Sequence, residues 1–357
     1  MEVIERIRKN DPTLEEADLR NKKITDLSFL IGNTHLIKLY LTDNKISDIS
    51  ALRYNNTLKV LYLGGNLISD ISVLQYNSSL IELYLYDNQI SDISPLRYNN
   101  SLTFINLSSN LISDFPALSK NTTLLKLDLS ENKISDISAL SQNSTLTNLY
   151  LGENQISDIS TLAHNFSIST LFLYHNKITD ISALAHNRSL TNLSLSDNTI
   201  SDISFLKYNN ALVDLSVSFN QISDFSALRD NTYLTTLNIS SNRISDISAL
   251  AYNETLTDLK LEFNQIIDIS VLSRNRTIQF LDLAYNKITD FSSLIYNVSI
   301  TTLALSYQID IPISPFVKTI VERNKDNRPN RITTLFELLS KQIEKIDNGK
   351  SYLSKSI

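Results

Sequence analysis

The sequence predicts an α/β solenoid, a coil of short parallel strands each followed by a loop and a return segment, on three observations. Asparagine recurs at Asn44, Asn66, Asn88, Asn110, Asn132, Asn154, Asn176, Asn198, Asn220, Asn242, Asn264 and Asn286, twelve times at a constant spacing of 22 residues. A second asparagine series from Asn33 and Asn55 to Asn297, and an aspartate series from Asp26 and Asp48 to Asp290, keep the same interval. Apolar residues repeat in phase with them, as in Leu36, Leu39, Leu41, Ile46, Ile49 and Leu52. A fixed period without insertions is the mark of stacked identical turns.

Residues 1–18 are expected to form an N-terminal helical cap. Val3, Ile4 and Ile7 have helical spacing, and Glu2 with Arg6 and Glu5 with Lys9 are i,i+4 pairs. The array then runs over 19–310, opening with a degenerate turn (Leu19, Ile24, Asp26, Leu30) in which Lys22 stands at the asparagine position. In each full turn, Leu39 and Leu41 share one face of a strand and Tyr40 faces the other way. Ile46, Ile49 and Leu52 turn inward from the loop and from an irregular or helical return segment. Six apolar side chains cannot offset the ordering of one such turn alone, so turns must stack and stability becomes a sum over neighbours.

Asn44 and its equivalents are expected to point inward and bond main-chain groups of their own and adjacent turns, since an amide both donates and accepts. The aspartate of each SDIS is expected to cap the amides that follow it. A calcium site would need several oxygen ligands and glycine at the bends, and the loop offers one carboxylate. Asn55 and its equivalents are read as turn or helix-end residues in a left-handed conformation. Tyr54, Tyr76, Tyr98 and Tyr208 before them are expected to be half exposed on the convex side. Beyond Asn297 the pattern decays. A C-terminal helical cap over 311–350 is expected, with one helix near Pro315 (Phe316, Val317, Ile320, Val321) and another through Leu335, Phe336, Leu339, Ile343 and Ile346. Its apolar stripe either covers the last turn or docks a partner. Residues 351–357 are expected to fray.

The run from Leu39 to Ser50, LYLTDNKISDIS, resembles the leucine-rich repeat of the internalin and phosphatase-regulatory-subunit type. Asn55, followed by a residue and then Thr-Leu or Ser-Leu, is a feature similar to ribonuclease-inhibitor repeats. The resemblance covers about residues 19 to 309. It implies a curved right-handed superhelix with a parallel β-sheet on the concave face and helical caps, and a protein partner bound on that face.

A net charge of −6 and a pI near 5.3 argue against phosphate binding, and so against nucleic acid. The absence of cysteine removes disulfides, thiolate ligands and cysteine nucleophiles, and suits a reducing compartment. The first residues hold no apolar run that could serve as a secretion signal or a membrane span. The expectation is a monomer that is cytoplasmic, or delivered into a host cell without a classical signal peptide, with no membrane partner. No Ser/His/Asp, paired-carboxylate or phosphate-loop motif stands out from the repeat, and His164 with His186, one period apart, lack further ligands. No enzyme activity and no cofactor are expected.

Information in a repeat protein sits where the repeats differ, and here that is the strand face turned from the core. Its first half is aromatic (Tyr40, Tyr62, Tyr84, Tyr86, Phe104, Tyr150, Phe172, Tyr174), its middle small and polar, and its far end acidic (Asp214, Asp258, Glu262, Asp282) around Lys260. Stacked tyrosines can serve the sheet alone through cross-strand pairing. Tyr and Phe are also the residues that anchor protein interfaces, and the acids would favour a basic patch on the partner. The predicted function is therefore a non-catalytic scaffold that binds a partner protein through these residues. A composition rich in Asn, Ile, Ser and Lys points to an AT-rich genome of an intracellular bacterium or large virus, and so to a host-directed effector. The alternatives are a regulatory subunit of a phosphatase or other enzyme, and a cell-surface adhesin.

Overall fold

A computed structural model describes residues 2–305. They fall into two compact units, one ending at Ile178 and one beginning at Thr179. The first unit opens with helix α1 (Glu2–Arg8) and continues through strands β1 (Glu16–Asp18), β2 (Lys38–Tyr40), β3 (Val60–Tyr62), β4 (Glu82–Tyr84), β5 (Phe104–Asn106), β6 (Lys126–Asp128), β7 (Asn148–Tyr150) and β8 (Thr170–Phe172). These pair in parallel, in sequence order. The second unit does the same with β9 (Asn192–Ser194), β10 (Asp214–Ser216), β11 (Thr236–Asn238), β12 (Asp258–Lys260), β13 (Phe280–Asp282) and β14 (Thr302–Ala304).

Register follows the sequence period: Leu39 pairs with Leu61 and Leu61 with Leu83. Because each strand repeats its predecessor, like side chains sit side by side and every Leu39 or Leu41 equivalent meets its own kind. Leu36, Leu39, Leu41, Ile46, Ile49 and Leu52 are all buried, as are their counterparts in both units. The return segments are short 3-10 turns such as Ser50–Tyr54 and Ser204–Tyr208. Five residues cannot establish an α-helical bond ladder, and the tighter i to i+3 pattern closes them instead.

The asparagine of the first series points inward as expected. Asn44 Nδ2 donates to Leu19 O at 2.9 Å and to Leu41 O at 2.8 Å, while its Oδ1 accepts from Lys22 N and Ile24 N. Asp48 Oδ1 accepts from Ser50 N at 2.8 Å and so caps the 3-10 turn, and this bond holds its carboxyl below the usual range.

The second series differs from expectation. Asn55 has φ −95°, not a left-handed backbone, and is fully buried. Its Nδ2 donates back one turn, to Asn33 O at 2.7 Å and Leu30 O at 3.2 Å, closing the carbonyl end of the neighbouring 3-10 turn. The left-handed residue is the one before the first asparagine, as in Asp43 (φ 57°), Gly65 (φ 65°) and Asp87 (φ 52°). There the chain leaves the strand and swings inward so that the next amide can reach the core.

At the N-terminus the helix is confined to α1, and β1 already occupies Glu16–Asp18, pairing Ala17 with Leu39. The first turn of the array therefore begins with a strand inside the span read as a cap. The ion pairs also differ, since Arg6 turns to Asp11 at 2.7 Å and Arg8 to Glu5 at 2.7 Å. The cap expected over 311–350 and the tail over 351–357 lie outside the described residues.

Candidate partner-binding face

On the first unit, strand pairing turns a column of aromatic side chains into a stack. Tyr40 and Tyr62 have ring centroids 4.9 Å apart, Tyr62 and Tyr84 stack nearly parallel (10°) at 3.8 Å, and Phe104 follows Tyr84 at 4.7 Å with a tilt of 35°. Asn106 and Asp128 interrupt the column on β5 and β6, and it resumes with Tyr150 edge-on to Phe172 at 5.2 Å. The aromatic stripe is thus two clusters. All of these rings are half-buried and outside the core.

Two further rings rest on glycines. A Cβ at Gly64 would lie 2.4 Å from the Tyr86 ring, and a Cβ at Gly152 would lie 2.4 Å from the Tyr174 ring. Tyrosine at this strand position therefore lies flat across the preceding turn because glycine there leaves the space. Sequence reasoning missed these glycines, although each stands one period before its tyrosine.

Polar groups border the first cluster. Arg20 sits over Tyr40 at 5.5 Å and bonds Asp18 at 2.6 Å, and that bond holds the Asp18 carboxyl down to about 2. Tyr84 Oη donates to Glu82 Oε2 at 3.0 Å. Burial, then its bonds to Tyr62 and Glu82, push the Tyr84 phenol far above its ordinary range. Burial likewise raises Tyr174, helped by the negative charges of Glu153, Glu131 and Asp128. These phenols stay neutral, with a hydroxyl at the edge of an apolar surface.

On the second unit the strand face is small and acidic. Ser196 bonds Ser216 at 2.7 Å and Ser218 at 2.9 Å. Asp214 begins β10, Asp258 begins β12, Asp282 ends β13 and Glu262 follows β12, all half-buried. Burial raises the carboxyls of Asp214, Glu262 and Asp282 above their ordinary values. A carboxyl whose folded value is raised binds its proton more tightly in the fold than in the unfolded chain. Stability is gained as pH falls through the raised value, so at neutral pH these charges disfavour the fold.

The return side of the first unit carries Tyr54, Tyr76 and Tyr98, each 42–53% exposed. Arg53 covers Tyr76 at 4.3 Å and Arg97 covers Tyr98 at 4.7 Å. An open groove of about 530 Å³ lies beside Tyr54, and the carboxylates that line it, Asp26 and Asp48, already accept from Ser28 and Ser50 amides. His164 and His186 are exposed on return segments. Among the described residues no group of three or more His, Cys, Asp or Glu is placed to hold a metal ion, and no helix is long and apolar enough to cross a membrane.

Comparison with known proteins agrees with this geometry. The family model for leucine-rich repeats (two copies) matches residues 12–54, 34–76, 56–98, 78–120, 122–164, 167–208 and 210–252, and a single leucine-rich repeat model matches 274–290. An internalin of Listeria monocytogenes is 34% identical, with a TM-score of 0.82 over 86% of this chain and 94% of that one. A leucine-rich repeat protein of Leptospira interrogans shares the fold at 19% identity, with a TM-score of 0.75 over 85% and 86% of the two chains. The plant peptide hormone receptor RGFR1, solved in complex with RGF2, shares it at 21% identity and a TM-score of 0.63, over 78% of this chain and 52% of that one. A search of curated proteins finds no match. With its inward asparagines, 22-residue period and parallel strands, the chain belongs to the leucine-rich repeat proteins, of the internalin type.

Proposed function

We propose that this chain is a non-catalytic scaffold that binds a partner protein on its strand face, anchored on Tyr40, Tyr62, Tyr84, Tyr86 and Phe104 with Tyr150, Phe172 and Tyr174 as a second contact. The observation that carries the reading is the ring stack on β2 to β5, a contiguous apolar surface on the solvent side of strands whose core is already complete. Rigid rings held by their neighbours lose little freedom on binding, which is what makes tyrosine an effective anchor. The acids of the second unit support the same reading, because they disfavour the fold at neutral pH and complement a basic partner. The partner is placed among host proteins on the strength of the composition, which is rich in Asn, Ile, Ser and Lys. The cysteine-free chain suits a reducing cytosol as the place of encounter.

The test is affinity capture from host-cell extract with the intact chain and with a Tyr62→Ala, Tyr84→Ala, Tyr150→Ala variant. Truncating anchors of this kind lowers affinity by about tenfold or more each, so partners recovered by the wild type should be lost from the variant. Equal recovery by both would remove the aromatic face from the account.

A further inference from the structure

The second asparagine series carries a modification signal along its length. Ten of its thirteen members between Asn33 and Asn297 head an Asn-X-Ser/Thr triplet, as in Asn55-Asn56-Thr57 and Asn77-Ser78-Ser79. Such triplets accept N-linked oligosaccharides, and where they do so they stand on surface loops. Here every asparagine of the series is buried, none more than 5% exposed. The amide nitrogen, the atom that would carry the sugar, is the donor that ties each turn to the one before. Asn77 Nδ2 donates to Asn55 O at 3.0 Å and Leu52 O at 3.0 Å, and Asn99 Nδ2 to Asn77 O at 2.8 Å and Leu74 O at 3.0 Å. In the second unit Asn231 Nδ2 donates to Asn209 O at 2.8 Å and Asn275 Nδ2 to Asn253 O at 2.9 Å. Oδ1 of Asn55, Asn77 and Asn99 meets no donor, so these amides act through Nδ2 alone.

The hydroxyl two residues on is engaged in the same way. Thr57 Oγ1 donates to Leu36 O at 2.8 Å, Thr123 Oγ1 to Leu102 O at 2.7 Å and Thr277 Oγ1 to Leu256 O at 2.7 Å, each a bond to the preceding turn. The triplets therefore arise from two structural ladders set two residues apart. The hydroxyl is dispensable to the fold, since Ala211 and Tyr233 take its place after Asn209 and Asn231, which are buried and bonded like the rest. The amide is present in all thirteen turns.

Transfer of an oligosaccharide forms a bond from Nδ2 to the anomeric carbon of the sugar and breaks that carbon's bond to a lipid pyrophosphate donor. The lipid pyrophosphate leaves, and Nδ2 gives up a proton. One donor hydrogen is lost, and a sugar ring must find room in a close-packed interior. Because each turn is held by its neighbours, the same lesion in several turns undoes the stack. We propose that these ten asparagines are latent glycosylation acceptors whose modification is incompatible with the fold, so that the chain reaches its native state only where the unfolded chain does not meet an oligosaccharyl transferase. A chain that enters such a compartment already folded keeps these amides out of reach. The inference goes beyond partner binding and is independent of what the strand face recognises.

Asn106, Asn192 and Asn238 head three further triplets on the strand face, half-buried and outside the core, where a sugar leaves the ladder intact. They set the threshold for the experiment, which is cell-free translation of the full chain behind a cleavable signal sequence with rough microsomes. An N-acetylated, amidated Asn-Leu-Thr tripeptide, which competes for the transferase, is present in one arm and absent from the other. Glycans are counted by partial digestion with endoglycosidase H, and folding is read as a trypsin-resistant core after the membranes are dissolved, since protease cleaves the opened chain. Without competitor the translocated chain should carry more than three glycans and lose the resistant core. With competitor it should carry none and give the core seen when the chain is made without microsomes. A chain with more than three glycans that still resists trypsin, a translocated chain that takes three or fewer without competitor, or trypsin sensitivity that persists when transfer is blocked would each overturn the proposal.

Discussion

The side-chain amide of Asn110 is fully engaged by main chain. Its Nδ2 donates to Leu85 O at 3.0 Å, Leu107 O at 3.1 Å and Ser108 O at 3.2 Å, and its Oδ1 accepts from Ile90 N at 3.0 Å. Asn110→Ala leaves buried carbonyls and an amide without partners, so it should lower the stability of the chain by about 1–3 kcal/mol. Urea denaturation followed by circular dichroism reads this as a lower midpoint, and an unchanged midpoint would show that water or a shifted loop replaces the amide. This ladder was legible in the sequence because only an amide can donate and accept at an inward turn. The second ladder was misread because spacing does not reveal φ. Asn55 and Asn44 recur at the same interval, yet the left-handed residue is Asp43. That column holds Asp, Glu, Ser, Gly and His until Phe219, Phe263 and Tyr285, a break that an alignment of the turns does show.

The strand with its loop is the unit that builds the face. Leucine pairs fix the register, and register in turn stacks Tyr62 on Tyr84. The strands and core were therefore readable from period and alternation. The division of the aromatic stripe into two clusters was not, since it depends on ring orientation rather than on residue type. The glycine beneath each flat tyrosine belongs to this scale. Gly152→Val would drive a branched side chain into the Tyr174 ring and force the ring off the sheet, at a cost of about 1–3 kcal/mol. We expect an unchanged far-UV spectrum and an altered near-UV tyrosine signal, and a near-UV spectrum identical to wild type would contradict the packing described.

Across the molecule the core varies little from turn to turn while the exposed strand face changes from stacked rings in the first unit to desolvated carboxylates in the second. Core positions are uniform because every turn meets copies of itself. The face escapes that constraint, and there the sequence departs from what the fold alone requires, in acids that weaken it and in rings at positive φ. The fold was legible because it repeats, whereas the face is legible only as a composition until register makes it a surface. Partner binding on that surface is the central claim. Hydroxyl-radical footprinting of the tyrosines, with and without a partner recovered by capture, tests it with an internal control. Tyr40, Tyr62, Tyr84, Tyr86, Tyr150 and Tyr174 should be protected in the complex while Tyr54, Tyr76 and Tyr98 on the return side keep their labelling, and protection of the return-side set with no change on the strand face would contradict the account.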